Sequence, residues 1–310
     1  MEMSVILTQM IKFFILMSLG YILYKINIMD SDFNKKLTNL VLKVTMPCMI
    51  VSSAIGTGED RNISKVLSVF VIAIIMYVAL PIVGMLIAKL MRFNDEQSGI
   101  YVFMTMFGNV GFMGMPLIEV ILGKEAVFYA AIFNMIFNIC LFTIGVKAIN
   151  YPDTADNKKG VAEILLHPGV LSAFIAILIY FINIPIHSAV SGAISNLGSV
   201  TTPVAMLLMG ASLAKVPVKK VFNDWKVYAF DIIKQFALPI IGWIVINMLI
   251  KDEYIAMVTL IMLAMPVANT SVMFAIEYDR DEETAAKNVF ISTVMSIVSI
   301  PVVIYLASII

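Results

Sequence analysis

Charge is scarce in this sequence: Asp, Glu, Lys and Arg make up only 14% of its 310 residues, against about a quarter in an ordinary soluble domain. The few charges cancel, 21 basic against 21 acidic, so the basic excess that a nucleic-acid partner needs is missing. Histidine and cysteine are rarer still, at two each. No His/Cys cluster exists to hold a metal, and no cofactor is expected. There is no HExxH, no serine paired with a histidine inside an apolar run and no phosphate-binding GxxxxGK loop. An intramembrane enzyme and an ATP-driven pump therefore lack support. Cys48 and Cys140 both sit in apolar segments, which suits small buried side chains better than a disulfide. A basic leader and a small-residue cleavage site are also missing after Glu2, so the first apolar segment is expected to be a retained helix.

What the chain has instead is apolar length. It is 61% hydrophobic, with a mean hydropathy of +0.96. Runs long enough to cross a bilayer recur from end to end. They predict an all-α integral membrane protein with ten spans, near 4–24, 37–56, 64–88, 98–122, 125–148, 163–182, 190–214, 227–250, 254–277 and 284–309. Ten spans put fourteen Lys and Arg on one face and four on the other. The positive-inside rule then places the richer face in the cytoplasm and both termini outside.

The two halves echo each other. ALPIVG at 79–84 matches ALPIIG at 237–242, VTMP at 44–47 matches VTTP at 200–203, and Asp95-Glu96 matches Asp252-Glu253. The shift is 156 to 158 residues throughout. The expected division is a five-span repeat over 1–149, a cytoplasmic linker at 150–162 (it contains NYPDTADNKKG) and a second repeat over 163–310. Since five is odd, the second copy enters the membrane from the opposite side, the inverted-repeat plan of many secondary transporters.

Two spans are spoiled as helices at matching places. The fourth carries GNVGFMGMPL, residues 108–117, and the ninth MPVANTS, residues 265–271. Proline lacks the amide donor and clashes with the preceding turn. Backbone freed in this way is tolerated at membrane depth only inside protein or beside a wet cavity. The two breaks are therefore expected to cross near the midplane, with half-helix N-termini that favour a carboxylate. Close helix packing through small residues accounts for the glycines alone, but not for Asn109, Pro116 or PVANT. The substrate-binding residues expected on this reading are Asn109, Gly111, Gly114, Pro116, Pro266, Asn269 and Thr270, with Asn134 and Asn138 on the fifth span opposite Ser292 and Ser296 on the tenth. Lys43 is either a counter-charge in the cavity or a side chain that snorkels to the interface. Asp231, Lys234 and Gln235 share a face of the eighth span and are read as a self-satisfied structural group ahead of a proton relay.

GNVGFMGMPL, PVANT and the ten-span repeat resemble the auxin efflux carrier family over essentially the whole chain. The resemblance implies a scaffold of spans one, two, six and seven and a transport domain of spans three to five and eight to ten, moving as an elevator. It implies organic-anion transport: indole-3-acetate in plant PIN-type carriers, malonate or malate in some bacterial relatives. A homodimer is expected by resemblance only. The short linker departs from the plant carriers, so their regulatory phosphorylation is not expected, and a bacterial cytoplasmic membrane is the expected home. The proton or sodium that would drive transport is left open. The alternatives carried forward are a cation-coupled antiporter and a ligand sensor built on a transporter fold.

Overall fold

A computed structural model of the chain describes residues 3–55, 62–151, 166–182, 186–215 and 224–309. The linker expected at 150–162 lies, from residue 152 on, outside the described residues, as does the expected start of the sixth span.

The described chain folds into helices: α1 Met3–Lys25, α2 Ser31–Ala54, α3 Ile63–Leu90, α4 Asp95–Met106, α5 Val110–Leu122, α6 Lys124–Leu141, α7 Ile144–Ile149, α8 Pro168–Ile182, α9 Ser188–Leu213, α10 Trp225–Leu249, α11 Glu253–Leu263, α12 Thr270–Glu277 and α13 Glu282–Ile309. Seven of these, α1, α2, α3, α6, α9, α10 and α13, are long and apolar enough to cross a membrane. The protein is thus a multi-pass membrane protein, with apolar side chains such as Ile15, Ile82 and Met248 turned outward where lipid tails replace water.

Local chemistry sets the helix ends. Asp30, Asn62, Asn94 and Asp252 each stand before a helix and accept a hydrogen bond from an amide in its first turn, which satisfies donors that have no partner within the helix. The second helix begins at Ser31, not near residue 37 as apolarity alone predicts. Its first turns are polar, SDFNKK, and the Asp30 cap starts the helix there. The fifth segment is interrupted at Phe142–Thr143, which divides α6 from α7.

Three prolines leave a common signature. Pro47, Pro116 and Pro239 each follow a widened π-turn, at Val41–Thr45, Val110–Gly114 and Ile233–Ala237. A proline ring collides with the carbonyl four residues back, and a π-turn moves that carbonyl out of its way.

The closest helix packing joins α1 to α9. A Cβ on Gly210 would stand 1.8 Å from the Met17 carbonyl oxygen, and one on Gly20 would stand 2.1 Å from that of Leu207. The two backbones touch because neither residue has a side chain, the usual device for close approach of helices in lipid. The C-terminal half of α2 packs against α8 and the N-terminal half of α9. Elsewhere α3 lies along α4 and α6, and α13 is flanked by α10 and α12.

At one end of the molecule Lys65 Nζ pairs with Asp252 Oδ2 at 3.0 Å. Partial burial pushes the Asp252 carboxyl up, but Lys65 and the Tyr254 and Ile255 amides outweigh it and hold the group below its ordinary value. Its stabilising contribution is therefore present at neutral pH and is lost as pH falls through that depressed value. Both partners are about a third exposed, so Asp252→Asn is expected to cost no more than about 1 kcal/mol at pH 7. Thermal melts at neutral and acid pH check this: the gap between wild type and variant closes in acid.

Candidate functional site: the crossing of two broken helices

The fourth segment opens at residues 107–109, between α4 and α5, and the ninth at 264–269, between α11 and α12. These breaks meet. Gly108 and Val267 form an isolated antiparallel bridge. The Asn109 amide donates to the Pro266 carbonyl at 2.7 Å, and the Ala268 amide to the Phe107 carbonyl at 3.1 Å. Each break thus supplies the partners the other lost, as the apolar surroundings demand. Gly108 suits this close approach, since a Cβ would lie 3.0 Å from both Cβ and the carbonyl oxygen of Met265 and would press the breaks apart by a few tenths of an ångström.

Asn109 sits at the tip of a tight turn. Its φ and ψ are −77° and 60°, and the Val110 amide closes back on the Gly108 carbonyl at 2.8 Å, an inverse γ-turn. Its own carbonyl accepts from Met113 and Gly114 and starts α5. The side chain is buried, and its amide nitrogen donates to Met209 Sδ of α9 at 3.4 Å. A thioether is a weak acceptor, so this amide retains capacity for a better one.

The other expected residues surround this point in part. Pro116 is buried in the first turn after the π-turn of α5, and Pro266 contributes its carbonyl to the bridge. Asn269 is half-buried at the start of α12 and makes no capping bond with its side chain. Next to it, Thr270 Oγ1 and Ser271 Oγ are buried without a partner, as is Thr293 Oγ1 on α13. Gly111 faces Met46 of α2 and Asn134 of α6, where a Cβ would meet ordinary contacts at 3.4 and 3.9 Å. Gly114 lies against Met262 and Met265.

Asn134 and Asn138 are both buried, and Asn138 donates to the Asn134 carbonyl at 2.6 Å. Their amides crowd Gly169 at the start of α8. Across the break, Ser292 Oγ accepts the Val267 amide at 3.0 Å, while Ser296 donates to the Thr293 carbonyl in its own helix and approaches Met113 Sδ. Lys43 stands apart, exposed on α2.

Nothing local in the sequence marks Met209, which reaches the crossing only through the packing of α9. Ser292 was named for its place in the repeat, and the structure gives it a definite task. Ser292→Ala leaves the Val267 amide without its acceptor in a dry site and is expected to cost about 1–3 kcal/mol. Ser296→Ala frees only a helix carbonyl and is expected to cost less. Chemical unfolding in detergent distinguishes the two.

A cleft of about 830 Å³ runs between α3, α10 and α11, lined by apolar residues including Leu67, Ile75, Ile241 and Val245. No residue of either break lines it. It is mostly apolar, with polar side chains such as Asn62, Lys65, Lys251 and Asp252 at one end.

Membrane-length helices, with two interrupted segments joined through their backbones, define a membrane protein of the transport class. The chain belongs to the family described as membrane transport protein, which matches residues 5–304; this is the auxin efflux carrier family that GNVGFMGMPL resembles. It is 22% identical over 291 residues to an uncharacterized transporter of Methanocaldococcus jannaschii, covering 92% of this chain and 94% of that one. It is 21% identical over 289 residues to an uncharacterized transporter of Methanothermobacter thermautotrophicus, covering 93% of each. A Rhizobium meliloti protein named "Putative malonate transporter" is 23% identical over 208 residues, 64% of each chain.

Proposed function

We propose that this protein is a secondary transporter of small organic anions and that the substrate carboxylate binds at the crossing of the two breaks. The observation that carries this is the pairing of residues 107–109 with 266–268, which brings the N-terminal ends of α5 and α12 to one buried place. Helix N-termini carry partial positive charge and free amides. Asn109, Asn269 and Thr270 add side-chain donors beside them, and the breaks contain no acidic residue that would repel an anion.

The fold reading follows from the same features. The helices form two five-span repeats, inverted with respect to each other, with spans four and nine crossed. The close packing of α1 on α9, and of α2 on α8 and α9, supports a scaffold of spans one, two, six and seven. The remaining spans form the transport domain, which moves as an elevator to expose the crossing alternately to each side. Malonate-like and malate-like dicarboxylates come first as substrates, because of the name borne by the Rhizobium relative. The chain works in a cell membrane with both termini outside, as a homodimer. A cation antiporter would need a carboxylate in one of the breaks.

The test is exchange in proteoliposomes, with labelled malonate, malate, indole-3-acetate and sodium offered separately. Saturable exchange of at least one acid, and none of sodium alone, is expected. Exchange of sodium with no acid would overturn the proposal.

A further inference from the structure

We propose that Asp231 is the proton-binding site that couples this transport to a proton gradient, its carboxyl carrying one proton in the buried pocket it shares with Lys234 between α10 and α13. The inference rests on the anion-transport reading and extends it to the driving ion.

Asp231 is fully buried, and neither of its carboxylate oxygens accepts a hydrogen bond. Lys234, one helical turn on, is also almost fully buried at 2% exposure. The expected self-satisfied group is therefore incomplete: the carboxylate lacks the bonds that stabilise a charge in a dry interior. Ionisable groups kept at membrane depth under such conditions mark ion pathways.

Val227, Asp231 and Gln235 recur every four residues and so share the face that α10 turns to α13, where Val227 meets Ile291 and Gln235 bonds to Ser292 and Ser299. The groups facing Asp231 are few. Its own helix offers Lys234, and α13 offers Asn288, whose side-chain nitrogen already donates to the Thr284 carbonyl of its own helix at 2.8 Å. From α4 comes Tyr101, whose ring packs on Phe230 and which lies within electrostatic reach of Asp224, Asp231 and Asp281. Lys287 on α13 is already paired with Glu283 at 2.9 Å.

This set suits a proton and not a metal ion. A hard cation needs several oxygen ligands, at least some of them charged. Here there is one carboxylate beside an ammonium, and no group of three candidate metal ligands exists among the described residues. A proton needs only the one carboxyl oxygen. It comes from water on the acid side, forms the O–H bond of Asp231, and returns to water when the site opens to the other side. With Asp231 at 0% exposure, the site must open toward water for the proton to enter or leave.

A route to the substrate site is built in. The Gln235 side-chain amide donates to the Ser292 carbonyl, and the Ser292 hydroxyl accepts the Val267 amide inside the break. These bonds tie the face of α10 that carries Asp231 to the place where the two breaks pair.

The test compares wild type with Asp231→Asn in proteoliposomes. With one proton per malonate, each unit of pH gradient supports about tenfold more accumulation in wild type. In Asp231→Asn the accumulation ratio is expected to stay near one under any gradient, while malonate–malonate exchange persists. Gradient-driven accumulation by Asp231→Asn equal to wild type would overturn the proposal and leave the anion site standing. If wild type moves no carboxylate, infrared difference spectra of the purified protein between acid and alkaline pH decide separately. A titrating carboxyl band lost in Asp231→Asn supports the proton site without the anion reading, and an unchanged band overturns it. If Asp231→Asn does not fold, Asp231→Glu is expected to shift the pH midpoint of accumulation; an unmoved midpoint counts against the site.

Discussion

Replacing Asn109 with alanine is expected to weaken malonate binding by about ten- to a hundredfold while barely changing stability. A hydrogen bond to a charged ligand contributes about 1.5–3 kcal/mol, and each 1.4 kcal/mol is about tenfold in affinity. The turn does not depend on the side chain. It is held by the Asn109 amide on Pro266 and by the Asn109 carbonyl accepting from Met113 and Gly114, all of which survive the substitution. Only the weak bond to Met209 Sδ is lost from the free protein. Calorimetric titration with malonate, run beside thermal melts, separates the two effects. Equal affinities in wild type and variant would mean that the amide faces no ligand.

The second large effect is structural. Gly210→Val is expected to abolish the monodisperse folded protein, or to destabilise it by about 3 kcal/mol or more, at the upper end of the range for overpacking. The new Cβ would fall 1.8 Å from a backbone oxygen of α1, and a backbone cannot swing aside as a long side chain can. Gly192→Val is the control, because a Cβ there meets nothing within 4 Å. Size-exclusion profiles and melting curves of the two variants give the comparison. Similar behaviour of both would show that α1 and α9 do not approach so closely.

These expectations show what a sequence of this kind discloses. Helix breaks are local events, so Gly108, Asn109, Pro266 and Asn269 advertised them directly through missing side chains, missing donors and side chains that compete with the backbone. Which carbonyl pairs with which amide is not local. The bond from Asn109 to Pro266 spans more than 150 residues and depends on the packing of both halves. The start of α2 was misplaced for a related reason: apolarity marks where a segment enters lipid, whereas the Asp30 cap marks where its helix begins. Asp231 and Lys234 were correctly set on one face by their spacing. That spacing could not reveal that α13 presents no donor to the carboxylate, because a missing contact is a property of the neighbouring helix. The π-turns before Pro47, Pro116 and Pro239 have a local cause, yet Pro81 and Pro301 sit within α3 and α13 without one, so the proline alone does not decide.

The measurement that bears most directly on the carboxylate site is photo-crosslinking with a diazirine-bearing dicarboxylate, followed by peptide mapping. Adducts are expected on the peptides that contain residues 107–116 and 265–271, lost when unlabelled malonate is added. Malonate-sensitive adducts confined to the cleft between α3 and α10, with the two breaks unlabelled, would contradict this placement.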